Sequence, residues 1–219
     1  MDALIISGGS LDQEFARSYI RSNPCELTIA VDVGMKFFYD QKMIPDFIVG
    51  DFDSVEAEIL RSFQRMEGPK KPVVLQFQPE KDETDTELAI RTAIREGSDH
   101  IHLLGAAAGN RMDHLIGNIH LLGAAMRQGV NCQMADPKNR VRMISEGIRI
   151  RRKEQYGNYV SLFPFTPEVK GLTLTGFKYP LSNYTLECFH SLGVSNEIVE
   201  AEAEISFQEG ILLVIESQD

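Results

Sequence analysis

Strand-like and helix-like segments alternate through the first half of the chain, and nearly every strand-like run stops at glycine or aspartate. The apolar runs are Ala3–Ser7, closed by Gly8-Gly9, then Leu27–Asp32, Phe47–Asp51, Val73–Phe77, His100–Gly105 and Asn131–Ala135. Between them, Leu11–Ser22, Val55–Met66, Thr86–Glu96 and Asp113–Gln128 read as helices. The last three carry apolar stripes at helical spacing: Val55, Ile59, Leu60 and Phe63; Leu88, Ala89, Ala93 and Ile94; Leu115, Ile116, Ile119, Leu122 and Met126. Such alternation predicts right-handed crossovers and a mainly parallel, Rossmann-like sheet with flanking helices. Ligands of these sheets sit beyond the carboxyl ends of the strands. Those ends hold Gly8-Gly9, Asp32-Val33-Gly34, Gly50-Asp51-Phe52-Asp53, Gly105 and Asp136, which this topology gathers on one rim.

After about Pro137 the helical periodicity disappears. Short β-rich runs follow at Arg140–Ile144, Ile148–Lys153, Tyr159–Phe165, Gly171–Thr175, Ala201–Phe207 and Ile211–Ile215, with Glu209-Gly210 as a hairpin turn between the last two. The prediction is two domains: an α/β domain over 1–137 and a smaller all-β domain, a sandwich or open barrel, over 138–219. A chain of 219 residues, 43% hydrophobic and 25% charged, can build both cores.

The net charge of −10 excludes the basic face of a nucleic-acid binder and an anionic membrane surface as partner. It leaves room for a nucleotide whose phosphate charge a divalent cation neutralises. Cys25, Cys132 and Cys188 are odd in number and far apart, which predicts reduced thiols and a cytoplasmic protein. The start, Met1-Asp-Ala-Leu-Ile-Ile-Ser, has no basic region of a signal peptide, and no apolar stretch is long enough for a membrane span.

Three clusters carry the chemistry. In Gly50-Asp51-Phe52-Asp53-Ser54, two carboxylates end one strand. Asp53 or Ser54 could cap the following helix, but capping does not explain Asp51. In Lys81-Asp82-Glu83-Thr84-Asp85-Thr86-Glu87, Asp82, Thr84 or Asp85 could cap the next helix, with Glu87 completing a capping box. Asp51, Asp53, Asp82 and Asp85, the candidate catalytic acids, could together share one or two divalent ions as hard oxygen ligands. Without metal, their repulsion is expected to raise some of their pKa values. In Gly105-Ala-Ala-Ala-Gly109-Asn110-Arg111-Met112-Asp113-His114, a glycine-punctuated loop opens a helix, suited to an anion, and Arg111 adds a planar fork for phosphate. The alternative is an ordinary loop in which Arg111 pairs with a nearby aspartate. The terminal Gly-Lys-Ser/Thr of a Walker A loop is absent.

In this order, "GDFDS", "KDETDTELA", "GAAAGNRMDH" and a β-rich tail with "SLGVSNE" resemble the thiamine pyrophosphokinase family across nearly the whole chain. The resemblance implies an α/β nucleotide domain followed by a β-sandwich thiamine-binding domain. It implies pyrophosphoryl transfer from ATP to the hydroxyethyl group of thiamine, giving thiamine diphosphate and AMP. It further implies Mg²⁺ dependence and a homodimer with thiamine at the subunit interface. Asp51, Asp53 and Asp85 would then be the Mg²⁺ ligands, with Asp82 beside them. Lys81 and Thr84 would lie along the pyrophosphate. Arg111, Asp113 and His114 would join the nucleotide pocket, with Gly8, Gly9, Asp32, Gly109 and Asn110 on the same rim. Ser195 and Asn196 would hold the thiamine pyrimidine from across the interface; their residue-level alternative is a turn between strands. Asn110 stands where the family often repeats glycine. Left open are a related pyrophosphokinase acting on another alcohol such as a hydroxymethyl pterin, a non-catalytic Mg²⁺–nucleotide-binding module, and a protein whose acids are all helix caps.

Overall fold

A computed structural model describes residues 1–78, 82–107 and 111–219. The chain divides into two compact units, Met1–Pro137 and Lys138–Asp219.

The first unit runs β1 (Asp2–Ile6), α1 (Gln13–Ser22), β2 (Leu27–Val31), α2 (Met35–Asp40), β3 (Phe47–Gly50), α3 (Ala57–Gln64), β4 (Val73–Gln76), α4 (Asp85–Arg95), β5 (His100–Leu104), α5 (Met112–Met126) and β6 (Asn131–Ala135). Its strands pair in the order β4-β3-β2-β1-β5-β6, with every ladder parallel. The order reverses at β1, so the switch point lies between β1 and β5, where open α/β sheets hold ligands. Leu4, Ile6, Ala30, Ile48 and Leu104 from the strands pack with Met35, Phe37, Phe38, Ile59 and Phe63 into one core.

Local chemistry explains the helix boundaries. Asp12 caps α1 by accepting from the Phe15 N–H at 2.8 Å, so that helix begins after Leu11 and not at it. Helix α2 was not anticipated: six residues are too few to display a period, and burial of Met35, Phe37 and Phe38 holds it. Helix α5 is rotated from expectation. Leu122 is buried beside Asn118 and Ala125, whereas Ile116, expected inward, is 53% exposed.

A buried polar knot joins α1 to the sheet: the Tyr19 hydroxyl lies 2.8 Å from His102 Nδ1, and Gln133 Nε2 donates to Tyr19 at 3.0 Å. Burial lowers the His102 pKa from its ordinary 6.5. The unfolded chain therefore takes up this proton first, and the contribution to stability is lost as pH falls below that range. Urea denaturation of the wild type is expected to show a loss between about pH 7 and pH 5 that shrinks in His102→Gln. Equal losses in both proteins would count against this role.

The second unit runs β7 (Asn139–Ile144), β8 (Ile148–Arg151), β9 (Tyr159–Pro164), β10 (Glu168–Thr175), β11 (Leu181–Glu187), β12 (Glu202–Ser206) and β13 (Leu212–Ser217). Antiparallel β7-β13-β9 and β11-β10-β12-β8 enclose a core that includes Val160, Leu162, Leu172, Leu174, Ile205 and Val214. The β13 ladders are antiparallel, so "mainly parallel" describes the sheet of the first unit and not the second. The expected hairpin at Glu209-Gly210 does not form. Strand β12 pairs with β10 and β8 while β13 pairs with β7 and β9, so the chain changes sheets at that turn. Strand β11 escaped the sequence pattern because it is an edge strand with Ser182–Thr185 exposed, leaving no apolar alternation to read. No helix among the described residues is long and apolar enough to cross a membrane.

Candidate active site

Beyond the carboxyl ends of the first unit's strands lies a cavity of about 700 Å³. Its wall takes Ser7, Gly8, Gly9 and Ser10 after β1, Asp32 after β2, Asp51 and Asp53 after β3, Glu83–Thr86 at the start of α4, Gly105 and Ala106 after β5, and Arg111, His114, Leu115 and Asn118 from α5. Of the rim expected from the strand ends, Gly8, Gly9, Asp32, Val33, Asp51, Asp53 and Gly105 line the wall, whereas Gly34, Gly50, Phe52 and Asp136 do not. Lys81, Gly109 and Asn110 lie outside the described residues.

On this wall, carboxylate oxygens of Asp32, Asp51 and Asp85 lie within 4.8 Å of one another. Three backbone choices bring them there. Asp32 turns the chain out of β2 with φ 44°, in the left-handed region that aspartate tolerates. Gly50 leaves the Asp32 carboxyl room, since a β-carbon at Gly50 would overlap it. Phe52, a bulky residue held at φ 65°, directs its N–H to Asp32 Oδ1 at 3.4 Å. Such strain in a large side chain persists only where its surroundings impose it. Asp85 stands in the first turn of α4, where the helix dipole favours a negative charge.

Electrostatics follow from the crowding. Burial, and then the neighbouring Asp85 carboxyl, push Asp32 up to about 7. The repulsion expected among the acids thus falls on a residue first singled out only as part of the nucleotide rim.

The remaining acids separate by partner. Asp53 shares the cavity wall, but its carboxylate accepts from Ser54 Oγ at 2.6 Å and is not one of the clustered three. Neither residue caps α3, whose N-cap position is Glu56. Thr84 caps α4, accepting from the Glu87 N–H at 3.2 Å. Glu83 and Glu87 both pair with Arg91 at 2.7 Å. Asp82 is exposed and off the cavity wall. Of that acidic run, Asp85 is the one turned into the cluster.

Arg111 is the only lysine or arginine among the described residues of the wall, and it pairs with Asp113, holding that carboxyl at about 2. The pairing entertained as an alternative thus exists, while the guanidinium stays exposed at the cavity. Asp113 itself is not part of the wall. Ser7, Thr86 and Asn118 were not foreseen; the first two share a buried 2.8 Å hydrogen bond. A signal for Asn118 was present: residues 111, 114, 115 and 118 fall on one helical stripe.

Ser195 and Asn196 lie in the second unit. Asn196 lines a separate, largely apolar cavity of about 300 Å³. Its amide accepts from the Tyr179 and Glu197 N–H groups and donates to the Tyr179 carbonyl, so it holds a turn. Ser195 is exposed, with φ 58°.

Gly50→Ala is expected to remove nearly all activity, because the new methyl group displaces Asp32 from its partners. A steady-state rate within about threefold of wild type would contradict this packing.

Burial pushes Cys132 up to about 12 and Cys25 up to about 11, so both remain thiols.

Comparison with known proteins gives a consistent picture. Residues 20–134 match the family "Thiamin pyrophosphokinase, catalytic domain", and residues 146–212 match "Thiamin pyrophosphokinase, vitamin B1 binding domain". The chain is 35% identical over 193 residues to the thiamine pyrophosphokinase of Bacillus subtilis (strain 168), covering 88% of each chain. Its fold superposes on the crystal structure of a Bacillus subtilis thiamine pyrophosphokinase with a TM-score of 0.87 at 32% identity, covering 100% of both chains. The thiamin pyrophosphokinase from Geobacillus thermodenitrificans follows with a TM-score of 0.84 at 31% identity, covering 100% of this chain and 98% of that one.

Proposed function

This chain belongs to the thiamin pyrophosphokinase family, and from that premise we propose how its cavity performs the family's reaction. The activity is that of a diphosphotransferase: a pyrophosphoryl group passes from ATP to thiamine, giving thiamine diphosphate and AMP. In our reading the thiamine hydroxyl oxygen bonds to the β-phosphorus of ATP, in line with the breaking bond to the bridging oxygen. AMP departs with that oxygen, and the hydroxyl proton is lost.

The convergence of Asp32, Asp51 and Asp85 carries this reading. A cluster of oxygen donors alone, one of them pushed up by burial and its neighbour, suits a hard divalent cation such as Mg²⁺. Bound there, the cation would supply neutralisation of phosphate charge. Asp53 would support the cluster from the same wall. Arg111 would exchange Asp113 for phosphate oxygens, a fork-to-fork replacement that costs little because the pair is exposed. The protein's part is chiefly to position the two reactants.

We further propose a cytoplasmic homodimer that holds thiamine at its interface, with Ser195 and Asn196 contributing there. Supporting this, Phe189 is fully exposed with φ 67°, and Tyr179, Leu192 and Val194 present further apolar surface. The match to a vitamin B1 binding region favours thiamine over a pterin as acceptor.

Incubation with ATP, Mg²⁺ and a panel of alcohol-bearing vitamins tests the assignment. AMP and a thiamine diphosphate mass in equal amounts are expected. ADP with thiamine monophosphate, a pterin product, or ATP binding without AMP release would overturn it.

A further inference from the structure

The cavity wall is chemically varied: Asp32, Asp51 and Asp85 bring clustered carboxylates to it, Arg111 a guanidinium, and Ala106, Leu115 and Asn118 line it from the end of β5 and from α5. Asn118 is only 9% exposed in an otherwise apolar stretch of α5, so its amide has to find partners. Its Nδ2 donates to the Ala106 carbonyl at 3.0 Å. A carbonyl only accepts, so this bond fixes which way the amide points. The side-chain oxygen accepts no hydrogen bond from the described residues, and it is not among their sealed, unpartnered atoms. It is an oriented acceptor that the residue offers to the cavity. The loop it grips is itself fixed: Gly9 N–H donates to the Gly105 carbonyl at 2.9 Å, and Gly105 holds φ 68° where a β-carbon would press on the Ser7 carbonyl.

Resting on the reading of this cavity as the ATP site, we propose that Asn118 is a nucleotide-positioning residue whose side-chain oxygen accepts a hydrogen bond from the nucleoside half of ATP. The required chemistry is an O–H or N–H donor. The ribose hydroxyls and the 6-amino group of adenine both supply one. The triphosphate, which only accepts, offers that oxygen no partner.

The test compares kcat/KM for ATP, inosine triphosphate, 2′-deoxy-ATP and 3′-deoxy-ATP in wild type and Asn118→Ala, with thiamine saturating. Wild type is expected to lose about tenfold on the analogue that lacks the donor. Asn118→Ala is expected to lose about as much on ATP itself and nothing further on that analogue, with KM for thiamine unchanged. Loss on inosine triphosphate identifies the base, and loss on a deoxy analogue identifies the sugar. Asn118→Ser repeats the comparison should the alanine variant not fold. Wild type indifferent to all three analogues, or a variant with undiminished discrimination, overturns the proposal. Absence of AMP formation from ATP and thiamine in wild type would instead overturn the assignment of the site.

Discussion

Asp85→Asn is expected to cut turnover by about a thousandfold and to leave the melting temperature unchanged or raised. The two effects share one cause. Asp32, Asp51 and Asp85 are held close enough to repel, and burial first, then the neighbouring Asp85 carboxyl, push Asp32 up to about 7. Neutralising Asp85 removes a ligand and also relieves that repulsion, lowering the Asp32 carboxyl toward its ordinary 3.8. The pH dependence follows. The folded state holds the Asp32 proton more tightly than the unfolded state, so this group's contribution is present in acid and lost as pH rises through about 7. Metal-free wild type should therefore weaken between about pH 4 and pH 7 relative to Asp85→Asn. Steady-state kinetics at saturating Mg²⁺ and thermal denaturation in chelator check both halves. Near-normal turnover, or a variant much less stable than wild type, would contradict the account. Stability held back for function in this way is common at active sites.

Glu216→Ala is expected to cost about 3–5 kcal/mol, with a melting temperature roughly 10 °C lower. Glu216 lies on β13, between β7 and β9, and is 0% exposed. It accepts from Arg140 Nε at 3.0 Å and Nη2 at 2.7 Å, from Arg142 Nη2 at 2.6 Å, and from the Tyr156 N–H at 2.9 Å. Its loss leaves two half-buried guanidinium groups without their shared anion. Replacement of the whole trio by apolar residues need not be costly, but removal of one member is. Urea denaturation of the variant measures the effect, and a loss below about 1 kcal/mol would show that the trio is not a fixed structural centre.

The parallel half of the fold was legible because buried strands and amphipathic helices leave periodic marks, and because Gly8-Gly9, Asp32, Asp51 and Gly105 mark strand ends. Helix α2 and strand β11 were not legible. Packing of Phe37 and Phe38 makes the first, and pairing with β10 alone makes the second. The sheet change at Glu209-Gly210 could not be told from a hairpin, because both need the same turn residues. Within the site, the residue pattern offered Asp51, Asp53, Asp82 and Asp85 to a divalent ion, and the family resemblance implied Asp51, Asp53 and Asp85 as its ligands; Asp51 and Asp85 do fall in the carboxylate cluster. Asp32 joins them in place of Asp53 through the room that Gly50 leaves, a steric fact that sequence does not display. Asn118 was hidden by an α5 assumed to face its core with Ile116, when the turn bearing Arg111, His114 and Leu115 faces the cavity.

Calorimetric titration of ATP, with and without Mg²⁺, into wild type and an Asp51→Asn/Asp85→Asn double variant tests the central claim most directly. Wild type should bind ATP about a hundredfold more tightly with Mg²⁺ than without, because the bare triphosphate meets an acidic rim. The double variant should bind metal-free ATP at least as well as wild type does and gain less than about threefold from Mg²⁺. An undiminished gain from Mg²⁺ in the double variant would mean that these carboxylates do not hold the ion.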